Sequence, residues 1–346
     1  MVGTVVVCEV QVPFVHGGAE IHVRSLVTQL RARGYETDRV ALPFKWYPKD
    51  EILTHAAAWR LVDLSESSGR VIDRVIATKF PAYFVRHPYK VTWLMHQYRG
   101  AYELAGTEYS DFEHVEADVA LRRQLVALDT QMLGECHRIF AGAANAGRRL
   151  EKYNGLSAET LYHPPLLAER IHGGPSGDYV LVVSRLETIK RVDLVVEAMT
   201  MVRPGVRLVV AGHGTQRANV IARAETLGVS DRVHFAGAVD DDTLIELYAG
   251  ALAVVFAPFD EDFGYVTLEA FLARKPVVTA TDAGGPLEFV EDDTNGAICE
   301  PTPAAIAAAI DRYAEEPARA ASHGAAGYER ARLITWDGVI ERLLAE

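Results

Sequence analysis

Cysteine is scarce in this sequence. Cys8, Cys136 and Cys299 are the only three, and no Cys-x-x-Cys pair or cysteine–histidine spacing joins them. That excludes a disulfide framework and a cysteine-bound metal; their apolar surroundings read as buried, reduced thiols of a cytosolic protein. Long apolar runs are missing too. The opening MVGTVVVCEV has no basic n-region and is too short for a signal peptide, and the longest later run, Ala251 to Phe259, falls far short of the roughly 20 residues of a membrane helix. An excess of basic charge is also absent. The net charge is −12, from 35 Lys+Arg against 47 Asp+Glu, and the imbalance is local: residues 1 to 172 hold 20 of each sign, residues 173 to 346 hold 15 and 27. No basic field could draw in a phosphate backbone, so nucleic-acid binding is excluded. A nucleotide bound by the acidic half must be held by a few placed cations.

What is present is enough apolar content for two cores, 49% of 346 residues. Short β-branched runs alternate with stretches of helical period, the pattern of parallel βα units. Strands are expected at Thr4 to Glu9, Arg39 to Leu42, Val75 to Ala77, Val91 to Met95, Ile139 to Ala141 and Thr160 to Tyr162. Helices are expected at Ala19 to Arg33 and Phe112 to Glu135. Clustered Pro and Gly from His163-Pro164-Pro165 to the HGGPSGD segment, His172 to Asp178, read as an interdomain linker. The pattern then restarts, with strands expected at Tyr179 to Val183, Arg207 to Ala211, Val233 to Ala236, Ala253 to Ala257, Pro276 to Ala280 and Ala297 to Cys299. An Ala-rich helical tail, Pro303 to Leu344, breaks near Pro317 and Thr335. The expected domains are 1–168 and 173–329, with a C-terminal helix of about 330–346 packing back onto the first.

In open α/β sheets, ligands bind beyond the carboxyl ends of the strands, where loops and helix N-termini present amides. His16-Gly17-Gly18-Ala19-Glu20 follows the first strand; its glycines suit either a tight connection or close approach to an anion. SRLETIKR places Arg185 and Lys190 about one loop after the first strand of the second half, where cations would stabilise a departing diphosphate. In EDFGYVTLEA, Glu261 stands eight residues before Glu269, with a turn at Phe263-Gly264. Acceptor-only carboxylates suit a polyol, because each takes hydrogen bonds from vicinal hydroxyls. Gly284-Gly285-Pro286 with Glu288 supplies another backbone loop on the same edge. Gly212-His213-Gly214 lacks the third glycine of a dinucleotide fingerprint and reads as a turn, which argues against a dehydrogenase. Asp240-Asp241-Asp242 offers either an Asp-x-Asp metal site or the acidic first turn of a helix, Thr243 to Tyr248; the helix start is the better reading.

HGGAE, SRLETIKR, AGHG, EDFGYVTLEA and TDAGGPLEFV, in this order, resemble the family 4 retaining glycosyltransferases of GT-B fold. The resemblance covers nearly the whole chain and is densest from Tyr179 to Pro301. It implies an α/β architecture of two Rossmann-like, doubly wound domains facing a central cleft, the first taking the acceptor and the second the nucleotide-sugar donor. Residue by residue it implies that Arg185 and Lys190 hold the donor diphosphate, with the Gly17 and Gly18 amides supporting it. Glu261 would meet the donor-sugar hydroxyls and Glu269 the ribose. Amides around Phe263, Gly264, Tyr265 and Val266 would face sugar and phosphate, and the loop after strand Val233 to Ala236 would edge the base. His96, after strand Val91 to Met95, matches the family's cleft histidine. The segment WLMHQYRGAYELAGTEY departs from the barest family pattern, and the acceptor is not defined by it.

The function so implied is retaining transfer of a hexosyl-type sugar, from UDP first and GDP second, to a saccharide, lipid-linked or small-molecule acceptor, in polysaccharide, glycolipid or glycosylated-metabolite biosynthesis. Front-face departure is favoured, the diphosphate oxygen taking the acceptor proton; no metal and no cofactor are expected. The location implied is cytoplasmic, with peripheral contact at the inner membrane face left open. A sugar-nucleotide epimerase and a non-catalytic nucleotide-sugar binding protein are the alternatives.

Overall fold

A computed structural model describes residues 3–14 and 17–345. The chain divides into two compact units: Met1–Leu166 with Trp336–Glu346, and Leu167–Thr335. In the first unit the strands are β1 (Thr4–Gln11), β2 (Glu36–Pro43), a small hairpin of β3 (Glu66–Ser67) and β4 (Arg70–Val71), β5 (Arg74–Ala77), β6 (Lys90–Leu94), β7 (Arg138–Ala141) and β8 (Glu159–Thr160). Between them run α1 (Gly18–Ala32), α2 (Glu51–Arg60), α3 (Glu116–Gly134) and α4 (Ala144–Asn154). Apart from the hairpin, the strands form one parallel sheet in the order β2-β1-β5-β6-β7-β8.

The second unit repeats the scheme with β9 (Tyr179–Val183), β10 (Arg207–Ala211), β11 (Val233–Gly237), β12 (Ala253–Val255), β13 (Val277–Ala280) and β14 (Gly296–Cys299). Its sheet is again parallel, ordered β11-β10-β9-β12-β13-β14. The helices are α5 (Val192–Ala198), α6 (Arg217–Thr226), α7 (Asp241–Gly250), α8 (Tyr265–Leu272), α9 (Pro303–Glu315) and α10 (Pro317–Ala331), and α11 (Trp336–Leu344) returns to the first unit. Both strand orders are doubly wound, because connections leave the first strand in opposite directions.

The reason for the layers is visible in the burial. Strands buried on both faces read as near-continuous apolar runs, as in Val180–Leu181–Val182 and Val277–Val278. On one face of the first sheet, Val23, Leu26 and Leu30 of α1 join Val339, Ile340 and Leu343 of α11 over Val5, Val7, Trp93 and Phe140. Each of the three buried α11 side chains contributes roughly 1.5–3 kcal/mol, enough to hold a short C-terminal helix on this sheet. The opposite face packs Cys8, Tyr83, Leu125 and Leu133. All three cysteines are free, and burial pushes the Cys8 thiol far up.

Two expected boundaries move for identifiable reasons. The helix expected from Phe112 begins at Glu116, because Ser110 folds the preceding segment into a turn: its hydroxyl donates to the Gly100 carbonyl at 2.8 Å and accepts from the Phe112 amide at 3.0 Å. The strand expected to reach Ala257 ends at Val255, since the Ala257 and Pro258 carbonyls leave the ladder for the Arg191 side chain. Among the described residues no helix is long and apolar enough to cross a membrane.

Candidate active site

Each sheet has a switch point where the winding reverses: between β1 and β5 in the first, between β9 and β12 in the second. Loops beyond such points are where a parallel sheet offers a ligand its amides and side chains. The second unit's loops carry most of the predicted residues.

Beyond β9, Ser184 to Leu186 is pinned from one side by the β10 turn. The Ser184 amide donates to the Ala211 carbonyl and the Leu186 amide to that of His213, each at 3.0 Å. Contact this close requires glycine: a Cβ at Gly212 would stand 1.9 Å from the Ser184 oxygen, and one at Gly214 2.4 Å from that of Leu186. The Gly-His-Gly turn therefore supports the Arg185 loop instead of cradling a dinucleotide. Arg185 itself is exposed, and among the described residues its guanidinium has no carboxylate partner.

Lys190 ends a single 3₁₀ turn, Thr188–Lys190, and its ammonium forms an ion pair with Glu261 and lies 5.8 Å from the Phe256 ring centre. These side chains are 11% and 21% exposed, so the pair is largely withdrawn from water yet reachable. The sequence reading assigned Lys190 to the diphosphate and Glu261 to the sugar; the structure brings the two into contact. Glu261 is held by its backbone, its amide donating to the Ala283 carbonyl at 2.8 Å and its carbonyl accepting from the Gly285 amide at 2.7 Å. Gly284, at φ +74, permits this, for its Cβ would lie 2.6 Å from the Glu261 oxygen.

Gly264, at φ +80, is the N-cap of α8, and a side chain there would strike Phe256 at 2.8 Å. Tyr265 and Val266 open the helix, so their amides belong to the first turn, which has no intrahelical acceptors. Phe263 packs edge-on against Tyr265 and Phe289, with centroids 5.3 and 5.5 Å apart. Glu269 lies one turn further on and accepts a hydrogen bond from the Tyr248 hydroxyl at 2.7 Å; burial raises its carboxyl above the usual range.

In the first unit, the Gly17 amide donates to Glu20 at 2.9 Å, and the other Glu20 oxygen meets the Lys79 ammonium at 3.1 Å. The carboxylate at the positive end of α1 is thus the chain's own. Gly18 is the first residue of that helix, and His16, which opens the motif, lies outside the described residues. His96 sits two residues past β6, half-buried, its Nδ1 paired with the Gln97 carbonyl at 2.7 Å.

Among the described residues no group of three or more His, Cys, Asp or Glu side chains could hold a metal ion. Asp240 is the N-cap of α7, accepting from the Thr243 amide at 2.8 Å, and Arg170 pairs with both Asp241 and Asp242. Sequence reasoning missed Arg191, which ties three loops of this edge together. Its only signal was a third cation in SRLETIKR.

Residues 172–330, inside the second unit, match the model of a protein family described as glycosyl transferases group 1. The motif resemblance to family 4 enzymes is supported at that broader level. Among curated proteins, the D-inositol 3-phosphate glycosyltransferase of Segniliparus rotundus is 33% identical over 179 residues, 49% of this chain and 40% of that protein. The chain spans no more than about half the length of the curated relatives it first matches. Among solved structures, sucrose-phosphate synthase from Thermosynechococcus elongatus has a TM-score of 0.75 at 19% identity, covering 99% of this chain and 97% of that one. HepE of Anabaena, solved with UDP and glucose, gives 0.75 at 18% over 99% of both. Likenesses at such identity establish the fold, which is GT-B, with two Rossmann-like doubly wound domains.

Proposed function

We propose that this chain is a retaining glycosyltransferase that moves a hexosyl-type sugar from a nucleoside diphosphate to an acceptor hydroxyl. The observation that carries the reading is the Lys190–Glu261 pair at the second sheet's switch point, with Arg185 on the same loop as Lys190. An acceptor-only carboxylate beside an ammonium matches a ligand that is polyol at one end and polyanion at the other. Arg185, Lys190 and the first-turn amides of α8 would take up charge as the diphosphate leaves, an interaction that strengthens in the transition state and so lowers the barrier. The leaving oxygen would accept the acceptor's proton on the same face, with no metal required. Glu269 would meet the ribose, the Gly17 and Gly18 amides the diphosphate in exchange for the Glu20 carboxylate, and His96 the transferring sugar. The first unit would serve the acceptor, which is a saccharide, a lipid-linked sugar or a small molecule. UDP is the first choice of nucleotide, a choice favoured by the UDP bound to HepE, and GDP the second. The reaction is placed in the cytoplasm, with peripheral contact at the inner membrane face where the acceptor is lipid-linked. The matched family is one of transferases, and the epimerase alternative is dropped.

Calorimetric titration with UDP, GDP and their glucose and mannose conjugates tests this. Glu261→Ala should weaken the sugar conjugate and leave the bare diphosphate as tight or tighter, because Lys190 loses its internal counter-ion. Glu269→Ala should weaken both by roughly 1.5–3 kcal/mol, the size of a lost charged hydrogen bond. Equal losses for both ligands in Glu261→Ala would reverse the donor along the site. No binding of any of them to the wild type would end the reading.

A further inference from the structure

The residue after Lys190 has an unusual backbone for its type. Arg191 adopts φ +50, ψ +41, between the 3₁₀ turn and α5, a left-handed conformation that favours glycine. Such strain persists only where the surroundings over-determine it, and here the side chain shows what does. The Arg191 side chain is 14% exposed, and its guanidinium takes Asp282 in a two-pronged grip at 2.6 and 2.8 Å. The same side chain donates to the carbonyls of Ala257, at 2.9 Å, and Pro258, at 2.6 Å, and lies 5.9 Å from the Phe259 ring centre. One side chain from the loop after β9 therefore binds the loop after β12 through its backbone and the loop after β13 through a carboxylate.

Those two loops are in turn laced to each other. The Asp260 amide donates to the Asp282 carbonyl at 2.9 Å and the Glu261 amide to that of Ala283 at 2.8 Å, while Phe259 donates to Ile189 at 2.9 Å. The connections close on themselves: Arg191 to Asp282, Asp282 and Ala283 to Asp260 and Glu261, Glu261 to Lys190, and Lys190 back to Arg191 along the chain. Only a planar fork could do this, since a lysine ammonium is a point donor without the paired geometry.

We propose that Arg191 is a positioning residue, which clamps the three loops so that Lys190 and Glu261 stand at a fixed separation for the donor. This rests on the donor reading above for its consequence, though not for the clamp itself. Arg191→Gly removes the side chain while relieving the backbone, so it should fold. Arg191→Lys keeps the charge and loses the fork, and Asp282→Asn keeps the shape and loses the charge.

Hydrogen exchange on the ligand-free protein, with calorimetry and steady-state kinetics, tests the proposal. In all three variants the amides of Asp260, Glu261 and Gly285 should exchange about tenfold faster while the rest of the second unit is unchanged, as expected of a local opening. Affinity for the nucleotide sugar and kcat should each fall about tenfold, with bare diphosphate affinity within about threefold of wild type, because misplacement costs most where two groups must act together. Wild-type exchange at those three amides in Arg191→Gly and Asp282→Asn overturns the clamp. Uniformly faster exchange across the whole unit in both also overturns it, since Arg191 would then be only a stability residue. A wild-type protein that binds no nucleoside diphosphate removes the donor reading, and the exchange result still decides the clamp.

Discussion

The two units share a doubly wound parallel sheet but keep several of their ionisable groups in different places. In the second, two ion pairs stand on loops just beyond the strands: Lys190 with Glu261 and Arg191 with Asp282. In the first, several lie within the layers. Lys90, 1% exposed, donates from inside β6 to the carbonyls of Tyr83 and Met132 at 2.8 and 3.0 Å. Asp129 of α3 is fully buried beneath the Tyr102 hydroxyl, and His22 of α1 pairs with His163 at 2.9 Å against Trp93. One point of likeness survives, for each switch point has a lysine–glutamate pair, Lys79–Glu20 in the first and Lys190–Glu261 in the second. The difference teaches that the second unit leaves one ammonium–carboxylate pair, Lys190 and Glu261, where a ligand can compete for it, whereas the first commits Lys90, Asp129 and two histidines to packing. The Lys190–Glu261 loops should therefore govern turnover, and the ionisable groups within the layers should govern stability and its pH dependence.

The largest effect expected is on turnover. Lys190→Ala or Arg185→Ala should lower kcat by about 10² or more, because each removes charge stabilisation that grows as the diphosphate leaves. Arg185→Ala should leave unfolding little changed, since Arg185 is exposed, whereas Lys190→Ala leaves the partly buried Glu261 without its counter-ion and should cost the second unit some stability. All four tryptophans, Trp46, Trp59, Trp93 and Trp336, belong to the first unit, so their fluorescence reports that unit alone and should not move. Wild-type kcat in both variants would break the contrast at its functional end.

This contrast also explains how much could be read from sequence. Strand-end motifs of the second unit were legible because turn glycines and charges lie within a few residues of the strands that place them. The Asp240 cap was legible for the same reason. The His22–His163 pair spans 141 residues and the Asp129–Tyr102 bond 27. Neither residue of such a pair carries a local signal, since a helical histidine and a helical aspartate look like surface residues until the fold brings their partners. The Lys190–Glu261 contact, 71 residues apart, was half legible: both residues were named, but periodicity says nothing about which strand ends become neighbours across a sheet. Strand order decides that, by laying β12 beside β9.

A second test is pH. Burial holds His22 and His163 neutral, pushing the first well down and the second to about 3, whereas burial pushes the Asp129 carboxyl up to about 7. Histidines depressed in the folded state contribute stability above their unfolded value, and it is lost as pH falls below about 6.5. Asp129 has the opposite sign. Its folded form keeps a proton that the unfolded form releases near 4, so its contribution is full in acid and is lost as pH rises from about 4 to 7. Within pH 4 to 6.5 the carboxyl thus opposes the imidazoles. Asp129→Asn removes that opposition, and the first unit of the variant should lose about 1.4 kcal/mol more per pH unit than wild type, one proton's worth. Urea unfolding followed by tryptophan fluorescence at pH 6.5, 5.5 and 4.5 reads the slope directly. Parallel slopes would mean that Asp129 is ionised in the folded protein.

The smallest effect should fall in the second unit and leave turnover untouched. Asp240 satisfies the Thr243 amide at the start of α7, where the helix has no acceptor of its own. Asp240→Ala should lower the second unit's transition by a few degrees at neutral pH, as seen by far-ultraviolet circular dichroism, with no shift in tryptophan fluorescence. Asp242 offers a control, since among the described residues its exposed carboxylate pairs with the half-exposed Arg170, and pairs of that kind contribute little. Asp242→Ala should leave both transitions in place. The Asp240 carboxyl is held below its usual range by the Thr243 bonds, so its contribution should disappear as pH falls through that lowered value, and the variant and wild type should converge in acid. Both variants should transfer sugar at the wild-type rate, and EDTA should not slow them. Activity lost in Asp240→Ala and restored by manganese would instead make the acidic triplet a metal site. The second unit would then have placed a catalytic charge at a helix start, and the division between loop ions for chemistry and capping ions for structure would fail where it is drawn most sharply.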